Sequence, residues 1–206
     1  MQERRKPRLG LQRKIFAARA APKKIAAYSH KHDGIKHMTT PLNLGFIGLG
    51  IMGAPMAIHL RAAGHRLHVN TRSKLPDALR NARAVACADA AEVATHADII
   101  FTMLPDTPDV EKVLFGQGGI ASGLSAGKTV VDMSSIDPMA IKEFAKQINA
   151  LGCDYLDAPG SGGEVGAKAA TLTTMVGGSQ TAFDHVKPLF DLLGKNITLI
   201  GGNGDG

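Results

Sequence analysis

Cysteine is scarce in this chain. Its 206 residues hold two, Cys87 and Cys153, too far apart for the paired spacing of a metal ribbon or a redox motif. The expectation is two buried thiols in a reducing, cytoplasmic compartment. Long apolar runs are lacking too, and none approaches the ~18 residues of a membrane-spanning helix. No histidine is set with acids or cysteines at metal-ligand spacing, so no metal site is expected. His65 and His68 read as surface or strand residues rather than catalysts. A serine-nucleophile reading lacks its elbow, because no Gly-x-Ser-x-Gly lies on a strand-to-helix turn and Gly160-Ser161-Gly162 alone is not one. Internal repeats and low-complexity linkers are also missing.

What remains is a soluble globular composition, 44% hydrophobic and 20% charged, long enough for one domain or one domain with an appendage. The formal charge of +6 is unevenly spread. Eleven Lys and Arg residues stand against Glu3 and Asp33 in residues 1–37, whereas the remainder is mildly acidic. The basicity belongs to a tail ahead of Met38, a plausible alternative start. Residues 1–41 are expected to be a basic, disordered extension or the product of an over-extended reading frame. Two other readings stay open: a targeting segment, although Ser29 is its only serine, and a nucleic-acid-binding arm. The last is disfavoured because the tail lacks interleaved aromatics and any reader motif.

The chain is organised around Asn43 to Ala57. A short apolar run, Leu44 to Ile47, reads as a buried strand and ends in Gly48-x-Gly50-x-x-Gly53. Met52, Met56 and Leu60 then recur four apart, as on one helix face. Each glycine has its own task. Gly48 permits a sharp turn off the strand, Gly50 leaves room for a pyrophosphate, and Gly53 lets the new helix press on the sheet. The first N–H groups of that helix lack intrahelical partners and carry the positive end of its dipole, which suits phosphate oxygens. Gly48, Leu49, Gly50, Ile51, Met52 and Gly53 are therefore expected to bind a dinucleotide.

Further along, strands and helices alternate. Strands are expected at Leu67–Val69, Asp98–Leu104, Thr129–Met133, Cys153–Asp157, Thr171–Val176 and Asn196–Ile200. Helices are expected at 74–82, 88–96, 109–114, from Pro138 to about Leu151, and from Gln180 to Leu193. Such alternation with short loops predicts a doubly wound, mostly parallel α/β sheet whose ligand sits beyond the carboxyl ends of the strands. At the end of the second strand, Asn70-Thr71-Arg72-Ser73-Lys74 carries no carboxylate to accept from a ribose 2′-OH, and Asp77 is the first one reached. Arg72 instead offers a cationic fork suited to a 2′-phosphate, so NADP(H) is favoured over NAD(H).

Residues 46–57 resemble the signature opening of the 3-hydroxyisobutyrate dehydrogenase family of β-hydroxyacid dehydrogenases. Met103-Leu104-Pro105-Asp106, Val131-Asp132-Met133-Ser134-Ser135 and Asp157-Ala158-Pro159-Gly160-Ser161-Gly162-Gly163 match as well, and so does the run from Lys187 to Gly206. The resemblance covers about residues 42–206. It implies an NADP-binding, Rossmann-type domain and hydride transfer between a nicotinamide cofactor and a small carboxylic acid, the reduction of a 3-oxo acid. Tartronate, methylmalonate and succinic semialdehydes and glyoxylate all remain open as substrates. It further implies that Leu104 and Pro105 pack along the cofactor, that Ser135 lies near its nicotinamide end, and that Ser161, Gly162 and Gly163 hold the substrate carboxylate.

Two departures accompany it. Gly160 stands where the family usually has valine, which adds backbone freedom beside the substrate loop. The family's catalytic lysine, on a helix after the loop at which this sequence stops, and its all-helical C-terminal domain have no counterpart here. Lys168 and Lys195 do not match that lysine, so no catalytic residue is assigned. The glycine-rich end at 201–206 suggests a truncated chain, expected to be inactive alone, with a homo-oligomer expected only for a full-length protein. The alternative function is a non-catalytic nucleotide-binding scaffold, with the basic tail engaging nucleic acid or another partner.

Overall fold

The computed structural model describes residues 40–206, so the expectations for the basic extension lie outside the described residues. The chain enters through strand β1 (Asn43–Ile47), turns at the glycines into helix α1 (Gly53–Ala62), and returns as β2 (Arg66–Asn70). After α2 (Asp77–Asn81), β3 (Val85–Ala86) and α3 (Ala90–His96) come β4 (Ile99–Thr102), α4 (Thr107–Phe115) and α5 (Ile120–Gly123). β5 (Thr129–Asp132), α6 (Pro138–Ala150) and β6 (Asp154–Asp157) follow. The remainder is β7 (Gly160–Ser161), α7 (Gly163–Ala169), β8 (Leu172–Gly177), α8 (Gln180–Phe190) and β9 (Gly194–Gly201).

These strands form one sheet in the order β3-β2-β1-β4-β5-β6-β8-β7, with β9 pairing β8. The ladders from β3 to β6 are all parallel, the geometry expected when helices cover both faces. β4 and β5 are buried along their whole length, which is why they read as continuous apolar runs rather than alternating ones. Successive residues still face opposite ways. Phe46, Phe101, Val131 and Leu156 join the core beneath α1 and α8, while Ile100, Val130 and Tyr155 join the core beneath α3, α4 and α6. α3 packs tightly on Gly45, where a Cβ would lie 2.6 Å from Val93 Cγ1.

β8 breaks the parallel pattern. It runs antiparallel to β6 and β7 and parallel to β9. Asp157 opposite Gly177, and Gly160 opposite Thr174, keep one register, so β6 and β7 are a single edge interrupted at Ala158-Pro159. Pro159 has no N–H to give to the ladder.

Four elements carry no sequence expectation: β3, α5, β7 and α7. The stretch expected to be a glycine-rich loop contains both β7 and the start of α7, because Gly160 and Ser161 bridge to β8. His65 differs from the surface expectation. It is 3% exposed, and its Nδ1 accepts the Leu42 N–H at 3.3 Å, which fixes the crossing from α1 to β2. Both cysteines are buried and free.

Candidate functional site

The glycine turn is built by steric necessity. Gly48 has φ +93°, and a side chain on it would run into the Met103 carbonyl oxygen. The exits of β1 and β4 are therefore held against each other. A Cβ on Gly53 would overlap the Gly48 carbonyl oxygen and touch the Phe46 ring, so α1 starts directly on the turn. Gly50 is the opposite case: a Cβ there meets nothing within 4 Å. Its missing side chain leaves open space rather than filling a tight contact.

The start of α1 is unlike that of the other long helices. α4, α6 and α8, the other helices of nine residues or more, are capped by Asp106, Asp137 and Ser179. α1 has no side-chain cap and no acidic residue in its first turn. Its first N–H groups thus meet no side-chain cap, and an anion at this end would satisfy both them and the positive end of the dipole.

That turn opens into a cleft of about 740 Å³. Gly48, Leu49, Gly50, Ile51, Met52 and Gly53 line it, together with Asn70, Thr71 and Arg72 and with Leu104 and Pro105. Uncapped N–H groups and the open space above Gly50 leave room for the phosphates of a dinucleotide. Asn70 has a mainly architectural task, since its Nδ2 donates to the Cys87 and Ala88 carbonyls at 3.1 and 3.2 Å. The Arg72 loop is shaped by Thr71 Oγ1, which accepts the Ser73 N–H at 3.3 Å. Arg72 itself reaches across to α4, where its guanidinium faces both carboxylate oxygens of Asp109 at 3.3 and 3.4 Å.

The wall at Leu104 is held from behind. Its N–H donates to Ser134 Oγ at 2.9 Å. Ser134 N–H and Thr102 Oγ1 in turn donate to Asp132 Oδ1 at 3.1 and 2.8 Å, and the Tyr155 hydroxyl donates to Oδ2 at 3.1 Å. Burial pushes the Asp132 carboxyl above its ordinary value, and these hydrogen bonds oppose the rise. Burial, with Asp132 beside it, likewise raises the Tyr155 phenol. The network locks the exits of β4 and β5 together.

Other expected residues lie elsewhere. Ser135 is exposed beyond Ser134 and does not line the cleft. Ser161, Gly162 and Gly163 also lie outside its lining. Ser161 ends β7, while Gly162 (φ +132°) and Gly163 (φ +59°) form the turn into α7, all three exposed. This turn borders the exit of β5, because a Cβ on Gly160 would lie 4.0 Å from Met133 Cε. Lys168 is paired with Glu164 at 2.5 Å, Lys195 is exposed on β9, and neither lines the cleft.

Cleft residues that sequence reasoning missed include Ala88, Asp89, Ala90, Asp109, Lys112 and Val113. The Asp89 cap ahead of α3 was a usable signal, but β3 before it is only two residues long and gives none. Among the described residues, no group of three His, Cys, Asp or Glu side chains is arranged to hold a metal ion, and no helix is long and apolar enough to cross a membrane.

Residues 43–201 match the family model for the NAD binding domain of 6-phosphogluconate dehydrogenase. Over 165 residues the chain is 60% identical to 2-hydroxy-3-oxopropionate reductase of Escherichia coli K12, covering 80% of this chain and 56% of the relative. It is 41% identical to a mitochondrial 3-hydroxyisobutyrate dehydrogenase of Drosophila melanogaster, covering 80% of this chain and 50% of that protein. The structure of Mycobacterium tuberculosis 3-hydroxyisobutyrate dehydrogenase with L-serine superposes with a TM-score of 0.74 at 31% identity, covering 81% of this chain and 57% of that one. The chain thus spans little more than half the length of these relatives. The glycine turn, the sheet order and these likenesses agree: the chain belongs to the family of the NAD binding domain of 6-phosphogluconate dehydrogenase, and over this stretch it is similar to 3-hydroxyisobutyrate dehydrogenases.

Proposed function

We propose that this chain is the cofactor-binding part of a reductase that prefers NADP(H) and converts a small 3-oxo acid to the hydroxy acid, with tartronate semialdehyde (2-hydroxy-3-oxopropionate) as the favoured substrate. The observation that carries the reading is the uncapped start of α1, opening into a cleft whose rim holds Arg72. The substrate rests on the 60% identity to the Escherichia coli reductase. When bound, the nicotinamide ring supplies the hydride.

The residues of this chain do the rest of the binding. The N–H groups at Gly50 to Gly53 hold the pyrophosphate, and the missing Gly50 side chain lets it approach. The Arg72 fork takes the 2′-phosphate in bidentate fashion. Leu104 and Pro105 pack along the cofactor, with Leu104 held in place through Ser134. Ser135 stands toward the nicotinamide end. The Ser161 hydroxyl and the N–H groups of Gly162 and Gly163 surround the substrate carboxylate without large side chains intruding.

Calorimetric titration of the 206-residue chain with NADPH and NADH tests this reading. NADPH binding tighter than NADH, with Arg72→Ala removing the difference, is the expected result. Binding of neither dinucleotide, or equal binding of both, would overturn the respective parts of the proposal.

A further inference from the structure

The geometry points to Asp109 as a residue that sets how strongly the cleft discriminates for a 2′-phosphate, by competing for the Arg72 fork. This inference rests on the reading of Arg72 as the phosphate contact. Arg72 comes from the loop after β2, and its side chain is 80% exposed. Asp109 comes from the first turn of α4, and its side chain is only 26% exposed. The two residues are 37 positions apart in sequence, and both line the cleft.

The pairing is the arrangement a phosphate would need. Both terminal guanidinium nitrogens face the two Asp109 oxygens, at 3.3 and 3.4 Å. A carboxylate and a phosphate present the same pair of acceptors to an arginine fork. Asp109 occupies the end-on face of the guanidinium, through Nη1 and Nη2, so a 2′-phosphate that takes this face must displace it.

Asp109 is the better anchored partner. Its N–H donates to the Asp106 cap at 2.9 Å, and a carboxylate in a first helical turn is favoured by the dipole. The more exposed Arg72 is therefore the partner that changes. A phosphorylated ribose must draw the guanidinium away from Asp109, a cost that a ribose with a free 2′-OH does not meet. Asp109 thus weakens binding of the phosphorylated cofactor selectively and leaves the rest of the dinucleotide site untouched.

The test uses the adenosine end alone: 2′,5′-ADP against 5′-AMP, titrated into the wild-type chain, Arg72→Ala, Asp109→Asn and the double variant. An exposed ion pair is a modest competitor, so Asp109→Asn is expected to tighten 2′,5′-ADP by about 1.5- to fivefold, with 5′-AMP unchanged. The gain shrinks at high salt and vanishes in the Arg72→Ala background. If Arg72→Ala leaves the 2′,5′-ADP preference intact, the reading of Arg72 fails and this inference falls with it. A preference that Arg72→Ala abolishes but Asp109→Asn leaves unmoved overturns the role of Asp109 alone. A gain that persists in the double variant overturns competition through the fork, since Asp109 then acts by direct repulsion.

Discussion

Gly50 and Gly53 stand three residues apart in one turn, yet substitutions at them are predicted to fail in different ways. A methyl on Gly53 collides with the backbone of Gly48, a rigid neighbour, so Gly53→Ala is expected to cost about 1–3 kcal/mol or more of stability. A methyl on Gly50 meets nothing. Gly50→Ala is expected to leave the thermal midpoint within about 1–2 °C of wild type while dinucleotide binding collapses, because the methyl fills the space above the α1 N-terminus. Equal binding by Gly50→Ala would remove the pyrophosphate from that position. Gly160 is a third case. Its Cβ would make only ordinary contacts, 3.6 Å to Leu172 Cδ1 and 4.0 Å to Met133 Cε, and its φ is not positive. Gly160→Ala is predicted to stabilise the chain by about 0.4–1 kcal/mol, through lower entropy of the unfolded state, as read by denaturant unfolding. The three glycines of the turn were legible in the sequence from their spacing between a short apolar run and a helical period. The Arg72–Asp109 pair was not, because it joins the loop after β2 to helix α4, which only the folded sheet brings together.

Between β2 and α3 lies a pH-sensitive contact. The rings of His68 and His96 stack with centroids 5.1 Å apart, and His68 Nδ1 is buried without a hydrogen-bond partner. Burial first, then the neighbouring His96, lowers the His68 pKa from its ordinary 6.5, with Glu92 opposing. Burial lowers His65 as well. A histidine lowered in the folded state contributes stability above its unfolded value that is lost as pH falls through it. The thermal midpoint is therefore expected to drop between pH 7.5 and 5.5, and to drop less in His68→Val. A flat profile in the wild-type chain would dismiss the idea. Elements differed in how well the sequence announced them. Helix α6 was legible from Asp137-Pro138 at its start and Gly152 beyond its end, since a cap and a fixed φ are chemical signals. β7 and α7 were not, because Gly160, Gly162 and Gly163 supply no side chains from which a period can be read. The direction of β8 was equally hidden, as an alternating pattern is the same read either way.

Seen whole, the cleft is assembled from one part of the sheet. Its lining runs from Ile47 through the exits of β2, β3 and β4 to Gly119, whereas β8, α8 and β9 contribute nothing to it. The far part is tied in separately. Asp157 at the end of β6 accepts the Gly204 and Gly206 N–H groups, each at 3.0 Å, and the Asn203 amide at 3.3 Å. A ligand in the cleft stabilises the folded state by mass action, by about 2.7 kcal/mol at one hundred times its dissociation constant. For a domain of this size that corresponds to a rise of roughly 5–10 °C in thermal midpoint. The sheet is continuous from β3 to β9, so global unfolding takes both parts together and this rise reports the whole molecule. Local opening is different, because it reads only the groups that the ligand touches. Hydrogen exchange with saturating NADPH is therefore predicted to slow most at 48–53, 70–73 and 104–113. The β8–β9 ladder and the turn at 202–206 are predicted to keep their ligand-free rates under conditions where local opening dominates. Protection concentrated at 160–166 instead would move the dinucleotide onto the Ser161 turn and away from the glycine cradle.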